Sequence, residues 1–281
     1  MTQWLRYRHQ GAIGFGTLAG SVGTVGAAAA DTADTAETRG AVIHIHTGGM
    51  FAGSSPTGQT LALADVTLLA PCVPSKMPAL WNNFYERAAK ENIALPPDPL
   101  YFLKGNNAFC AHGSVIRKPA HFDGKVVFEG ELGIVVGKRM CNVSEADAPA
   151  YIFGYTCVND VTAADILRID KTFEQWVRSK SFDTFCPIGP VITTGVDVMS
   201  LRVKSILVQP DGAVQERQNY PVADMIFPPA RLASLISRDM TLEPGDIIAC
   251  GTSVGAGAMK PGSVIRIQID GVGTLENPYQ A

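Results

Sequence analysis

Val126-Val127-Phe128-Glu129-Gly130-Glu131-Leu132-Gly133-Ile134-Val135-Val136-Gly137-Lys138 is an apolar run broken by two carboxylates. Read as one strand, it places side chains two apart on the same face, so Glu129 and Glu131 project into one small volume. Carboxylates held that close repel each other unless a proton or a cation lies between them. With Val, Phe and Ile on both sides to keep water away, a hard divalent cation is the natural counter-charge. An exposed edge-strand pair is the competing reading, because Glu-x-Glu alone is only moderately specific.

Asp160 closes a further apolar segment, 151–159, at the kind of strand end that delivers side chains to a rim. If it converges on Glu129 and Glu131, the donor set is all carboxylate oxygen, which suits Mg²⁺, with Mn²⁺ or Ca²⁺ as alternatives. Zinc is disfavoured without His or Cys beside it. Lys180 stands between Trp176 and Phe182, where its cation can steady an enolate or carry a proton; a surface lysine covering an apolar patch is the alternative. Gly251-Thr252-Ser253-Val254-Gly255-Ala256-Gly257 follows a strand, and its amides and the Thr252 hydroxyl could hold a carboxylate or carbonyl. A plain glycine-rich turn accounts for it equally well, and the Gly-Lys-Ser/Thr ending of a P-loop is missing. His44 and His46 share a strand face but have no acidic or cysteine partner nearby, so they read as structural.

The 281-residue chain, 46% hydrophobic with a formal net charge of -3, is long enough for one large domain or two unequal ones. Its Lys and Arg are scattered, which sets nucleic acid aside as a partner. No stretch approaches the ~20 uninterrupted apolar residues of a membrane span. The six cysteines form no Cys-x-x-Cys pair and read as reduced, mostly buried thiols of a cytoplasmic protein. Arg6, Arg8 and His9 ahead of Ala27-Ala28-Ala29-Ala30-Asp31 superficially resemble a signal peptide, but residues 11–26 hold six glycines and hardly any leucine.

Short strands and turns dominate. Strands are expected from residue 4 onward with turns at Gly11 and Gly20, and a low-complexity insertion spans 27–40. Further strands are expected at 42–46, 100–103, 201–209, 246–250 and 264–269, with a helix over 79–94 and a helix-like segment begun by Ser144. The proline cluster Pro71, Pro74 and Pro78 marks a boundary near residue 70. The expected organisation is a small N-terminal β domain over 1–70 and a larger domain over 71–281, of α+β class and mostly β.

Four segments, taken in order, resemble the fumarylacetoacetate hydrolase family: Phe128–Lys138, Ile152–Thr162, Lys180–Pro190 and Leu242–Thr252. The likeness covers about residues 75–278. It implies a mixed β-sandwich roll behind the N-terminal β domain, and a homodimer. It also implies Mg²⁺ or Mn²⁺ on Glu129, Glu131 and Asp160, with Lys180 and Thr252 against a 2-oxo or 2,4-dioxo acid. Many relatives carry Asn-Tyr-x-x-His-x-x-Glu, whose His and Glu activate water; here Asn83-Phe84-Tyr85-Glu86-Arg87-Ala88-Ala89-Lys90 puts Arg87 and Lys90 at those two places. Relatives often have Arg and Gln where Ala164 and Leu167 stand.

Arg87 and Lys90 are poor bases but could bind a second carboxylate, and Glu86, His112, His121 and Asp183 are the substitute bases on offer. The first expectation is a Mg²⁺-dependent hydrolase of aromatic or related catabolism, cleaving a C–C bond in an acylpyruvate-like 2,4-dioxo acid. The second is an isomerase, tautomerase or decarboxylase of a 2-oxo-alkenedioate, which needs no activated water. The third is a catalytically silent metal-binding relative.

Overall fold

Glu129 divides what reads as one strand into two strands of different sheets. In the computed structural model, which describes residues 1–19 and 40–281, Val126–Phe128 pairs with Thr162–Ala163 and Gly257–Ala258 in a small sheet. Gly130–Val136 instead runs through the middle of the large sheet, between Ile152–Asn159 and Ile247–Ala249. The single strand expected over 126–138 is therefore corrected. At the break the Glu129 amide donates to Asn159 Oδ1 (3.1 Å) and its carbonyl accepts from the Asp160 amide (2.9 Å).

Among the described residues the large sheet orders its strands Ser54–Ala62, Val42–Gly48, Ala12–Ala19, Thr2–His9, Cys186–Thr194, Ile152–Asn159, Gly130–Val136, Ile247–Ala249, Met77–Trp81 and Leu100–Lys104. Hydrogen bonding is continuous across residue 70, because Thr2–Trp4 pairs with Ile192–Thr194. A second sheet joins Val214–Pro221, Arg202–Val208, Val264–Ile269, Gly273–Gln280 and Ile116–Arg117. The main core lies between these two sheets, around Phe128, Leu132, Ile134, Ile267 and Leu275. A smaller cluster of Leu5, Tyr7, Leu18, Ile43, Leu63 and Val191 holds the N-terminal strands to Cys186–Thr194. The turn at Gly11 is present, with φ +84°. The turn at Gly20 and the insertion up to residue 39 lie outside the described residues.

Four α-helices are found among the described residues: α1 (Tyr85–Glu91), α2 (Ala164–Leu167), α3 (Trp176–Lys180) and α4 (Pro229–Asp239). Pro229 opens α4 at a position where a missing N–H costs nothing. Leu232 and Ile236, one turn apart, bury that helix's apolar face at about 1.5–3 kcal/mol each. The helix expected over 79–94 is shorter, because residues 79–81 belong to Met77–Trp81, where Ala79 pairs in parallel with Ala249. The segment after Ser144 forms only a 3-10 turn, Ala148–Tyr151, although Ser144 Oγ does accept from the Asp147 amide (3.2 Å). His46 packs edge-on against Trp4, with ring centroids 4.9 Å apart. A bulge between His44 and His46 breaks their common register with Ser54–Ala62. No helix among the described residues is long and apolar enough to cross a membrane.

Candidate active site

The break at Glu129 still turns both glutamates inward, and Asp160, one residue past Ile152–Asn159, meets them. One carboxylate oxygen from each of Glu129, Glu131 and Asp160 lies within 4.8 Å of the others. Glu131 and Asp160 are fully buried, and Glu129 is partly so. The Gly251 amide donates to Glu131 Oε2 (2.9 Å), while Glu131 Oε1 is buried without a hydrogen-bond partner. Thr162 Oγ1 donates to Glu129 Oε1 (3.2 Å).

Two lysines complete the cluster. Lys180, the last residue of α3, sets Nζ 2.7 Å from Glu129 Oε2 and 2.6 Å from Asp160 Oδ2. That ammonium also lies 5.1 Å from the centre of the Phe102 ring. Lys104, wholly buried, donates to the carbonyls of Phe185 (2.7 Å) and Val161 (3.2 Å). Its Nζ is also 2.7 Å from Asp160 Oδ1, a buried ion pair. Burial works against the Asp160 carboxylate, but Lys104 and Lys180 overcome it and hold its pKa below the usual value. Burial likewise opposes the Lys180 charge, and Asp160 and Glu129 outweigh it, so the ammonium is held. Glu131 has no lysine in contact; burial, then Asp160 and Glu129, push its carboxyl well above the ordinary range.

This donor set suits a divalent cation. Three hard oxygen donors converge, one of them buried without a partner, and the carboxyl that bears it is the one most in need of a positive neighbour. The Glu/Glu/Asp cluster can therefore hold such an ion.

A polar network behind the cluster fixes its geometry. The Gly130 carbonyl accepts from Thr252 Oγ1 (2.9 Å) and from the Tyr220 hydroxyl, and the Gly130 amide donates to Gln218 Oε1 (3.0 Å). Gln218 Nε2 donates in turn to Thr252 Oγ1 (2.8 Å), and Ser205 Oγ donates to Gln218 Oε1 (2.7 Å). A Cβ at residue 130 would stand 2.2 Å from Ser205 Oγ, so this contact requires glycine. Within the glycine-rich segment the Gly251 amide is given to Glu131 and the Thr252 hydroxyl to the Gly130 carbonyl.

The remaining candidates are more dispersed. Arg87 reaches the Thr252 carbonyl with Nη1 (3.4 Å) and pairs with Glu91 (3.2 Å), which brings it beside the glycine-rich segment. Glu86 and Lys90 lie on the exposed side of α1, and the Glu86 amide caps onto Asp224. His121 and Asp183 are exposed; Asp183 accepts from Asn107. His112 Nδ1 accepts from the Glu276 amide (3.0 Å), and burial lowers its pKa to about 4, so it stays neutral. Lys104, Asn159, Gln218 and Tyr220 are site residues that the sequence reading missed. Lys104 carried a usable signal, since it falls in phase with Phe102 on Leu100–Lys104 and so shares a buried face.

The family model for the fumarylacetoacetate (FAA) hydrolase C-terminal domain matches residues 77–280, and an Rv2993c-like N-terminal model matches residues 2–71. The chain belongs to the fumarylacetoacetate hydrolase family. It is similar to a 2-hydroxyhepta-2,4-diene-1,7-dioate isomerase from Mycobacterium marinum, with 34% identity, TM-score 0.85, and 100% of this chain and 98% of that one covered. It is 34% identical over 227 residues to the oxaloacetate tautomerase YisK of Bacillus subtilis, covering 77% of this chain and 74% of that one. It also resembles a maleylpyruvate hydrolase from Sphingobium sp. SYK-6 solved with manganese(II) and pyruvate, at 31% identity and TM-score 0.66, covering 79% and 76%.

Proposed function

We propose that this protein interconverts the enol and keto forms, or the double-bond isomers, of a 2-oxo acid, with Mg²⁺ bound by Glu129, Glu131 and Asp160. The observation that carries the reading is the placement of the Lys180 ammonium against two of those three carboxylates, with an unpartnered oxygen of Glu131 beside them. Mg²⁺ is preferred for an all-oxygen donor set, with Mn²⁺ as its substitute. Bound there, the ion supplies Lewis-acid stabilisation of enolate charge. Lys180 does the proton work. In the ketonising direction its Nζ gives a proton to C3 of the enol, and the enol hydroxyl proton returns to the amine, so nothing else is consumed. Lys104 holds Asp160 in place while this happens, and the Gly130 network fixes Glu131.

C–C hydrolysis, which the maleylpyruvate hydrolase relative performs by name, needs in addition a base that activates water. Glu86, the candidate base on α1, lies on that helix's exposed side, with its amide tied to Asp224. Isomerisation needs no such group, and two of the relatives above are an isomerase and a tautomerase. The test is to follow loss of the enol absorbance of oxaloacetate with Mg²⁺ or with EDTA. Acceleration that is abolished by EDTA and by Lys180→Met is expected. Intact metal-dependent turnover in Glu131→Ala would sink the assignment, and release of pyruvate plus a second acid from an acylpyruvate would restore the hydrolase reading.

A further inference from the structure

A cleft of about 410 Å³ opens on the far side of Phe102 from Lys180, lined by Trp81, Leu100, Tyr101, Phe102, Trp176 and Glu174. Its walls are ordered: Phe102 and Trp176 stack at 5.2 Å between centroids, and Trp81 meets Trp176 edge-on at 5.9 Å. The two elements that build the cleft also build the ion cluster. On Leu100–Lys104, residues 100, 102 and 104 share one face, so the strand passes from the cleft at Leu100 and Phe102 to the Asp160 ion pair at Lys104. On α3, Trp176 and Lys180 are one turn apart and therefore neighbours on the helix surface. Phe102 is the shared wall, with the Lys180 ammonium 5.1 Å from its ring centre. Phe102 therefore borders both the cleft and the Lys180 ammonium.

Its chemistry selects against negative charge. Aromatic faces carry negative quadrupole density, and the charged side chain lining the cleft, Glu174, is an acid. Glu174 Oε2 is fixed by the Trp176 indole N–H (2.9 Å). The neighbouring guanidinium of Arg168 lies 3.8 Å from Glu174 and outside the lining. A second carboxylate would meet Glu174 and lose its hydration without gaining a cation.

We infer that this cleft is the specificity subsite for the distal end of the substrate, and that it takes an uncharged apolar group, of the size of an aromatic ring, rather than a second carboxylate. The inference rests on the 2-oxo-acid reading of the cluster and names the class within it: aryl- or alkyl-substituted 2-oxo acids. Arg87 and Lys90, on α1, are not among the cleft's lining residues.

The experiment compares the enols of phenylpyruvate and oxaloacetate on the Mg²⁺-loaded protein, as the ratio of the two kcat/KM values. Wild type is expected to favour phenylpyruvate about tenfold or more, as is ordinary for one well-filled apolar pocket. Trp81→Ala and, separately, Glu174→Lys should each move the ratio about tenfold towards oxaloacetate. The second variant is at the surface and keeps the test alive if the first fails to fold. A wild type that favours oxaloacetate, or variants that change both substrates in parallel, would overturn the subsite while leaving the cluster's role intact. If neither enol is turned over, the reaction reading falls instead. The same comparison is then made by titration calorimetry: tighter phenylpyruvate binding that Glu174→Lys weakens relative to oxaloacetate upholds the cleft, and equal or weaker binding rejects it.

Discussion

At the scale of single residues, the cluster depends on groups that never touch a substrate. Gly130 is one. Its Cβ would press on Ser205 Oγ at 2.2 Å, so Gly130→Ala should cost about 1–3 kcal/mol by overpacking. Ser205→Gly in the same chain should restore part of that loss in a urea-melt double-mutant cycle; no restoration would mean that the strain lies elsewhere. Lys104 is another. Replacing it by Met leaves Asp160 with one cation instead of two, strands the carbonyl of Val161 and leaves that of Phe185 with the Val161 amide alone. Breaking such a buried pair typically costs about 3–5 kcal/mol. We expect Lys104→Met to lower the urea midpoint accordingly, with the slope of the transition unchanged.

At the scale of elements, the site is assembled by ties between segments far apart in the chain. Asp246, with its side chain fully buried, accepts from the Ser75 amide (2.8 Å) and hydroxyl (2.7 Å), the Lys76 amide (3.1 Å) and ammonium (2.7 Å), and the Glu243 amide (2.8 Å). It thereby aligns Ile247–Ala249, and the Gly251 amide beyond, with Met77–Trp81. Burial opposes the Asp246 charge, but the Glu243 amide, Lys76 and Ser75 outweigh it and lower its pKa. A lowered folded-state pKa gives stability that is full above the unfolded value, ~3.9, and is lost as pH falls through the folded one. Asp246→Asn should therefore cost about 2–3 kcal/mol at neutral pH and flatten the acid limb of a stability-against-pH curve. An unaltered acid limb would remove Asp246 from that role.

These same elements mark how far the sequence could be read. Glu129, Glu131, Asp160 and Lys180 could be picked out because charge inside apolar runs is conspicuous. The break at Glu129 could not be, since both halves are equally apolar and only their partner strands differ. Residues 79–81 read as the start of a helix for a related reason. Ala79 and Leu80 are buried on both faces of a parallel pair, so the alternation that identifies a strand is absent. Gln218 and Tyr220 gave no signal at all, because their role depends on a sheet packing over Gly130.

For the whole molecule, an ion held by three carboxylates of the native state and by none of the unfolded chain must raise stability. At a free Mg²⁺ concentration one hundred times its dissociation constant the gain is about 2.7 kcal/mol. Calorimetric melts should therefore show a midpoint that rises with Mg²⁺, falls back with EDTA and no longer responds in Glu131→Gln. A midpoint indifferent to both additions would refute binding at this cluster.

Continuity of the large sheet across residue 70 also sets a timetable for synthesis. Thr2 and Thr194 are register partners 192 residues apart. At about 5–20 residues per second, a ribosome makes the second some ten to forty seconds after the first. Through that interval Thr2–His9 has Ala12–Ala19 along one side, and on the other the short Thr67–Leu69 strand can cover only Arg6–Arg8. The three-residue edge at Thr2–Trp4 waits uncapped, with an indole at its end. That open edge closes only when Ile192–Thr194 arrives, so the last rung of the sheet's N-terminal half is set by the synthesis of its C-terminal half.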